Sequence, residues 1–467
     1  MTEAELFKVA KAANSFSNII PLTSLKTAAD VETARAKFIS VALTVDEFKE
    51  KYPGVDVEHI YFGNFYSGSA YYWDPESMVV FPLQIVNGDY LSINNTPLKQ
   101  NIDKLVREVK ESIEHNDYSF IETTLNDRMR VEYLKMLVDK DLPNIYELFT
   151  DIYPMCDFGC SLFSVQDMEK LFARKTDEQK KRTFSMLEHL PPVFTVYRGC
   201  GSESAPLENA YSWSLSSAVA VFFATRLTTN NSCIYTAKVK KEDIFEYFAD
   251  RNEQECLILP DKLFDIQKTD FYDIGWMNQK TEIIDAFWGY CGEAEYDKAG
   301  FETESEIHGK EHSMRVLLFS LFLADLYDLE QEDEWILVDA ATYHDIGRRD
   351  DSEDSEHGAR SAEKYVQGIL NRNPIVLFLM KYHCKPDAEG YAAIDSDEKL
   401  SAEKERVVGL FKIFKDADAL DRVRLGKFEL DFTQLRTDEA KKLPLIARIV
   451  KDTLKIEDED DVEEDDE

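Results

Sequence analysis

Two groups of residues carry types and spacings that could do chemistry. The first lies between residues 193 and 259. The apolar run Val193–Val196 ends in Tyr197-Arg198-Gly199, with no acidic residue close by in sequence. An arginine after such a run commonly ends in solvent. A rigid strand can also aim its guanidinium at an anion, with Gly199 beside it so that backbone approaches closely. Tyr211-Ser212-Trp213-Ser214 comes next and leads into the apolar stretch Ser217–Ala224, which would seat a helix against a sheet. Farther on, Asn252-Glu253-Gln254-Glu255 precedes Cys256-Leu257-Ile258-Leu259. If the strand pleat reaches back that far, Glu253 and Glu255 project to one side, because side chains alternate with period two. Two carboxylates at the lip of an apolar strand repel each other, an arrangement easier to understand if it has work to do.

The second group is a set of histidines. Of the eight in the chain, His308, His312, His344, His357 and His383 fall in the C-terminal third, whereas His59, His115 and His189 have no partners in sequence and read as surface residues. His308 and His312 open one apolar helical stretch, His344-Asp345 closes another, and Asp418 lies within Lys415–Asp421 on a third. Neutral imidazole and carboxylate together suit a divalent ion: Mn, Fe, Mg, Zn, Co or Ni.

The order Arg198, then Ser212-Trp213-Ser214, then Glu253-Gln254-Glu255 resembles the mono-ADP-ribosyltransferases of the R-S-E class. The resemblance implies NAD as co-substrate, with Arg198 gripping its phosphates as a guanidinium fork can and Gly199 beside it. It implies that Ser212, with Ser214 behind it, orients the catalytic Glu255. Glu253 would position and deprotonate the acceptor, and a Glu there goes with arginine acceptors on proteins. Tyr247 or Phe248 would stack on nicotinamide or on the target. Trp213 stands where that family usually has Thr, so the packing of nicotinamide can differ. The second set resembles the HD-domain metal-dependent phosphohydrolases, through HGKEHSMRV, HDIGR and DADALDR. That resemblance implies His312, His344, Asp345 and Asp418 as core ligands, His357 and His383 as the further histidines of a two-metal site, and His308 as an auxiliary group. Lys310, Arg348 and Arg349 would then be phosphate contacts, and the substrate a nucleotide or phosphodiester.

The elements that must position these residues divide the chain into zones. Residues 1–95 mix helical and strand-like runs and form an α+β region of unknown role. Residues 96–192 space their apolar residues by three and four, predicting a helical lobe. Residues 193–296 are strand-rich, residues 300–445 are helical again, and the changeover near 297–305 is the natural domain boundary. The expected architecture is therefore multidomain: an α+β ADP-ribosyltransferase-like domain with a helical lobe, then an all-α HD domain. The tail at 456–467 is almost wholly acidic and reads as a disordered, solvated extension.

Composition narrows the partners. The chain has 467 residues, 90 acidic and 54 basic, for a net charge of −36, which repels phosphate backbones and makes long nucleic acid an unsuitable partner. Seven scattered cysteines fit a reducing compartment better than a disulfide framework. No signal peptide or membrane span is apparent, so the expectation is a cytoplasmic protein, or one delivered to a host cytoplasm. Two other readings stay open: a nucleotide phosphohydrolase whose strand-rich domain binds a nucleotide without transfer chemistry, and a regulatory protein with two inactive catalytic folds.

Overall fold

A computed structural model describes residues 14–454, except 37–41, 64–68, 84, 87–88, 91–96, 141, 157–159, 229, 294–304, 306 and 369–371. The acidic tail at 456–467, and residues 297–304 of the changeover near 297–305, lie outside the described residues.

The N-terminal region builds a four-stranded antiparallel sheet in sequential order, from β1 (Ile20–Pro21), β2 (Ile60–Gly63), β3 (Ser69–Asp74) and β4 (Val79–Leu83), followed by the pair β5 (Ile85–Val86) and β6 (Asp89–Tyr90). Its strands have little polar alternation because both faces are covered. Ala70, Tyr72, Val79 and Phe81 pack with the helix Leu98–Glu114. Their neighbours Tyr71, Trp73 and Val80 turn the other way, into the core of the following helices.

The lobe predicted from apolar spacing forms the helices Leu98–Glu114, Asp127–Asp139, Ile145–Ile152, Val165–Arg174 and Asp177–Met186. Ser164 and Thr176 start the last two with reciprocal capping boxes. Between them lies Lys175, buried, with its ammonium on Thr183 Oγ1 (2.6 Å) and Glu246 Oε2 (3.1 Å). Tyr146 and Thr183 also hydrogen-bond to Glu246. A buried ion pair is tolerable only when so fully bonded, and this one fastens the lobe to the sheet that follows.

That second sheet has six antiparallel strands: β7 (Val193–Cys200), β8 (Ser212–Ser214), β9 (Cys233–Lys240), β10 (Ile244–Phe248), β11 (Glu255–Ile258) and β12 (Phe264–Asp270), in the order β10-β11-β8-β7-β9-β12. The runs VFTVYRG, AYSWSL, CIYTAKVK and ECLILP read as strands from the sequence, and β7, β8, β9 and β11 fall on them. β10 and β12 lack an obvious signal for different reasons. Glu246 breaks the apolar run of β10 and is buried in the pair just described. β12 is an edge strand, almost wholly exposed, whose charged residues blunt an open edge.

The apolar stretch after β8 forms the helix Ser217–Thr225, buried at every position except Phe223. Its inner side lies against β7 so closely that a Cβ on Gly199 would stand 1.7 Å from the carbonyl oxygen of Ala220 and 2.6 Å from the nitrogen of Ala224. Glycine at 199 is thus required by helix–strand packing. Its outer side meets the C-terminal helices. Ala220, Val221, Ala224, Ile234 and Phe271 belong to the same apolar core as those helices. Phe222 meets Phe428 edge-on at 5.3 Å, Lys427 lies 4.5 Å over the Phe222 ring, Ser217 bonds to Asp431, and the Tyr272 hydroxyl reaches Glu439 at 2.7 Å. The sheet and the helical region beyond residue 300 are joined by a continuous core.

The C-terminal region wraps the helices Gln331–Tyr343, His357–Gly368, Pro374–Tyr382, Asp387–Ser396 and Lys404–Leu420 around Lys310–Leu326, which is buried without interruption from His312 to Ala324. Pro444–Thr453 closes it. No helix among the described residues is long and apolar enough to cross a membrane.

Gly199→Ala should therefore destabilise the protein by about 2 kcal/mol or more, since neither contacting atom is a movable side-chain end. Gly289→Ala, in the helix Thr281–Glu293 with nothing within 4 Å of the added carbon, should instead stabilise by about 0.8 kcal/mol. Thermal or urea unfolding of the two variants checks both signs.

Candidate functional site

Sheet order brings the first group together. β11, β8 and β7 are neighbours, with Glu255 opposite Ser214 and Ser214 opposite Tyr197. A cavity of about 240 Å³ opens there, and Arg198, Gly199, Ser212, Ser214, Glu253 and Glu255 all line it. Arg198 Nη1 donates to the Ser212 carbonyl at 2.6 Å, while its Nε is buried with no hydrogen-bond partner. A buried N–H without an acceptor is costly, so this guanidinium suits an anionic occupant of the cavity.

Glu255 is the most constrained carboxylate of the cavity. Burial raises its pKa above the ordinary value, while hydrogen bonds from Ser212 and from the Tyr153 hydroxyl (3.0 Å) act in the opposite direction. Ser214 acts one step away: its hydroxyl donates to the Glu253 carbonyl at 2.7 Å and accepts from Ser216 N at 2.9 Å, so it holds the loop that carries Glu253. The strand pleat does not reach back to Glu253. β11 begins at Glu255, and left-handed backbone at Arg251, Asn252 and Gln254 (φ 60°, 58° and 48°) turns Glu253 toward the same cavity. Its carboxylate pairs with Arg251 at 2.9 Å. Phe248 lies elsewhere: it is buried and stacked on Tyr153, with ring centroids 5.7 Å apart, and does not line the cavity. Trp213 is buried but does line it, donating Nε1–H to the Ala210 carbonyl at 3.1 Å.

The histidines also converge. His312 comes from the first turn of Lys310–Leu326, while His344-Asp345 and His383 follow the ends of Gln331–Tyr343 and Pro374–Tyr382. His357 opens its own helix, and Asp418 sits in Lys404–Leu420. The partners of each Nδ1 fix the tautomers. His344 Nδ1 bonds to the Ala341 carbonyl (2.8 Å), His383 Nδ1 to the Met380 carbonyl (2.7 Å) and His357 Nδ1 to the Asp354 carbonyl. Carbonyls only accept, so each Nδ1 carries its hydrogen. His312 Nδ1 bonds at 2.7 Å to Asp421, whose carboxylate Arg315 Nε also holds, at 2.6 Å. In the neutral rings all four Nε2 atoms are then lone-pair donors facing inward.

They face one another. His312 Nε2 is 3.1 Å from His344 Nε2, and His357 Nε2 is 2.8 Å from His383 Nε2. Asp345 Oδ1 lies 3.0 Å from His357 Nε2 and 3.4 Å from His383 Nε2 but makes no properly aligned hydrogen bond to either. Asp418 Oδ1 stands 3.4 Å from His312 Nε2. Opposed lone pairs at such separations repel unless a proton or a metal ion lies between them. Burial opposes protonation of the rings, but Asp418 and Asp421 raise the His312 imidazole, and Asp345 with Cys384 pushes that of His357 up to about 10. The donor atoms of His312, His344 and Asp418, and of His344, Asp345 and His383, fall within 4.8 Å of one another. This set fits a divalent ion, held by imidazoles that are each oriented by a further hydrogen bond. Burial pushes the His344 imidazole down to about 3, so it stays neutral and able to ligate. Burial opposes ionisation of Asp345, but the imidazoles of His344, His357 and His383 hold its carboxyl well below the usual range.

Four contributors lie outside the set expected from the sequence. Tyr153 reaches Glu255 from the helical lobe and Arg251 sits in a loop. Asp421 backs His312 from one turn beyond Asp418, a position that i, i+3 spacing could have flagged. Cys384, next to His383, groups with His357 and His383, and although burial opposes it, His357 and His383 bring its thiol down to about 7. His308 stays at the margin, bonded to Asp351 at 2.9 Å, with its ring 6.0 Å from that of His312. Arg348 is tied to Asp345 at 3.0 Å. No family model matches this chain, and no curated protein or solved structure shows significant similarity to it.

Purified protein loaded with Zn or Mn and then dialysed should retain metal by elemental analysis, and His344→Ala should lose most of it. Asp421→Asn should weaken retention about 10–100-fold. Equal metal content in all three proteins would show that the cluster is a hydrogen-bonded core.

Proposed function

We propose that the chain is an NAD-dependent mono-ADP-ribosyltransferase, with an arginine of a protein as favoured acceptor, joined to a metal-dependent HD phosphohydrolase acting on a nucleotide or phosphodiester. The observation that carries the first part is half-buried Arg198, whose buried Nε lacks a partner, sharing one cavity with a carboxylate held by Ser212. In this reading Arg198 binds the pyrophosphate bidentately. Glu255 accepts the 2′-hydroxyl of the nicotinamide ribose and stabilises the positive charge that grows on the sugar as nicotinamide leaves. Ser212 and Tyr153 keep that carboxylate ionised and aimed. Glu253 takes the acceptor's proton. Trp213, Tyr153 and Phe223 supply the aromatic walls, a part expected of Phe248.

In the second part His312, His344, Asp345 and Asp418 hold one ion, with His357 and His383 extending the set. A divalent ion there supplies Lewis acidity for attack of water on phosphorus. Asp418 is the ligand left partly open, its side chain 29% exposed against 2% for Asp345, so substrate approaches from its side. The nitrogen-rich set, with a thiol alongside, favours a transition ion over Mg. The scattered cysteines accord with action in a cytoplasm.

One observation favours a second reading, a phosphohydrolase with a non-catalytic nucleotide-binding domain: Arg251 occupies the carboxylate that should receive the acceptor. Incubation with NAD labelled on the adenylate phosphate, plus lysate, separates the two. Label on macromolecules that vanishes in Glu255→Gln is the expected result, and further accumulation in Asp345→Ala would mean that the HD site processes the mark. Intact NAD in every sample would leave only the phosphohydrolase.

The pH dependence has a definite sign. Glu255 must be ionised to act and burial holds its pKa high, so NAD cleavage should fail on acidification at a pH above the ordinary carboxylate range. Tyr153→Phe removes a bond that favours the charged form, so the acid limb of the pH–rate profile should move to higher pH. An unmoved limb would deny Tyr153 this role.

A further inference from the structure

We propose that Arg251 is itself an acceptor, a site at which the chain ADP-ribosylates its own loop; the inference rests on the transferase reading above. Three observations meet at this residue. Arg251 Nη2 stands 2.9 Å from Glu253 Oε2, where a guanidinium must lie to give a proton to that carboxylate. Arg251 lines the same cavity as Glu255 and Arg198, so the bound guanidinium and the groups that hold NAD face one space. The side chain is 42% exposed while that of Glu253 is 9% exposed, which leaves Arg251 as an open cap over a buried carboxylate.

The backbone adds a fourth. Arg251, Asn252 and Gln254 all adopt left-handed conformations although none is glycine, each at a cost of order 1 kcal/mol. An ion pair two residues apart does not need such a loop. Delivery of Arg251 and Glu253 together into the cavity does.

The step balances without a further reagent. A guanidinium nitrogen of Arg251 bonds to C1′ of the nicotinamide ribose. The bond from C1′ to the nicotinamide nitrogen breaks, and its electron pair leaves with neutral nicotinamide. The guanidinium proton passes to Glu253 and then to water. NAD and Arg251 become ADP-ribosyl-Arg251, nicotinamide and one proton.

The test uses the purified full chain with NAD and no lysate, with and without arginine methyl ester as a free guanidine, followed by peptide mass spectrometry. The expected result is ADP-ribose on the peptide containing Arg251 in wild type, at a first-order rate unchanged on dilution. Arg251→Lys, which keeps the charge opposite Glu253 and whose folding a thermal melt reports, should lose that modification, as should Glu255→Gln. Transfer to arginine methyl ester with Arg251 unmodified would overturn the inference and leave the transferase standing. A rate that falls with dilution would overturn modification within one chain. Intact NAD under both conditions would remove the transferase reading, and this inference with it.

Discussion

The helix Ser217–Thr225 is the constraint on which the arrangement depends. It is apolar all round, so it is stable only if covered on every side. The sheet covers one side, closely enough to demand glycine at 199, and the C-terminal helices cover the other. Its first turn follows directly from Ser214, and its residues Val219, Ala220, Phe223 and Ala224 form part of the cavity wall. Any displacement of this helix moves a wall of the cavity and the docking surface of the helical region together. The segment that contacts it outside, from Lys427 to Asp431, begins only a few residues beyond Asp421, the carboxylate behind His312.

The two sites solve opposite electrostatic problems inside a strongly acidic chain. The cavity presents a cation with an unfilled hydrogen-bonding position and two carboxylates within reach of it, a balance that admits a ligand with both anionic and cationic parts. NAD, with its pyrophosphate and pyridinium, has that character. The histidine cluster presents inward-facing nitrogens and carboxylates that need a proton or a metal ion between them. Its rings are locked by Nδ1 bonds to carbonyls and to Asp421, so the inward nitrogens cannot rotate away. Rigid orientation of mutually repelling donors is what a pre-organised metal site requires.

What the sequence by itself determined is the set of chemical groups and most of the elements that carry them. Apolar spacing located the helices of the lobe and of the C-terminal region, and short apolar runs located β7, β8, β9 and β11, because these patterns follow from the periods of helix and strand. The histidines and Asp345 were legible because polar groups at the ends of apolar helices need a reason. Tertiary structure alone decided the rest. Glu253 reaches the cavity by left-handed loop backbone that no pattern encodes, and Tyr153 arrives from a lobe fastened by the buried Lys175–Glu246 pair. Phe248, adjacent in sequence to the cavity loop, turns instead into a core. β10 and β12 carry no strand signal because burial of a charge and exposure of an edge each erase the alternation that marks a strand. Pairing across the sheet and closure of the shared core are long-range events, and the residues they bring together carry no mutual signal along the chain.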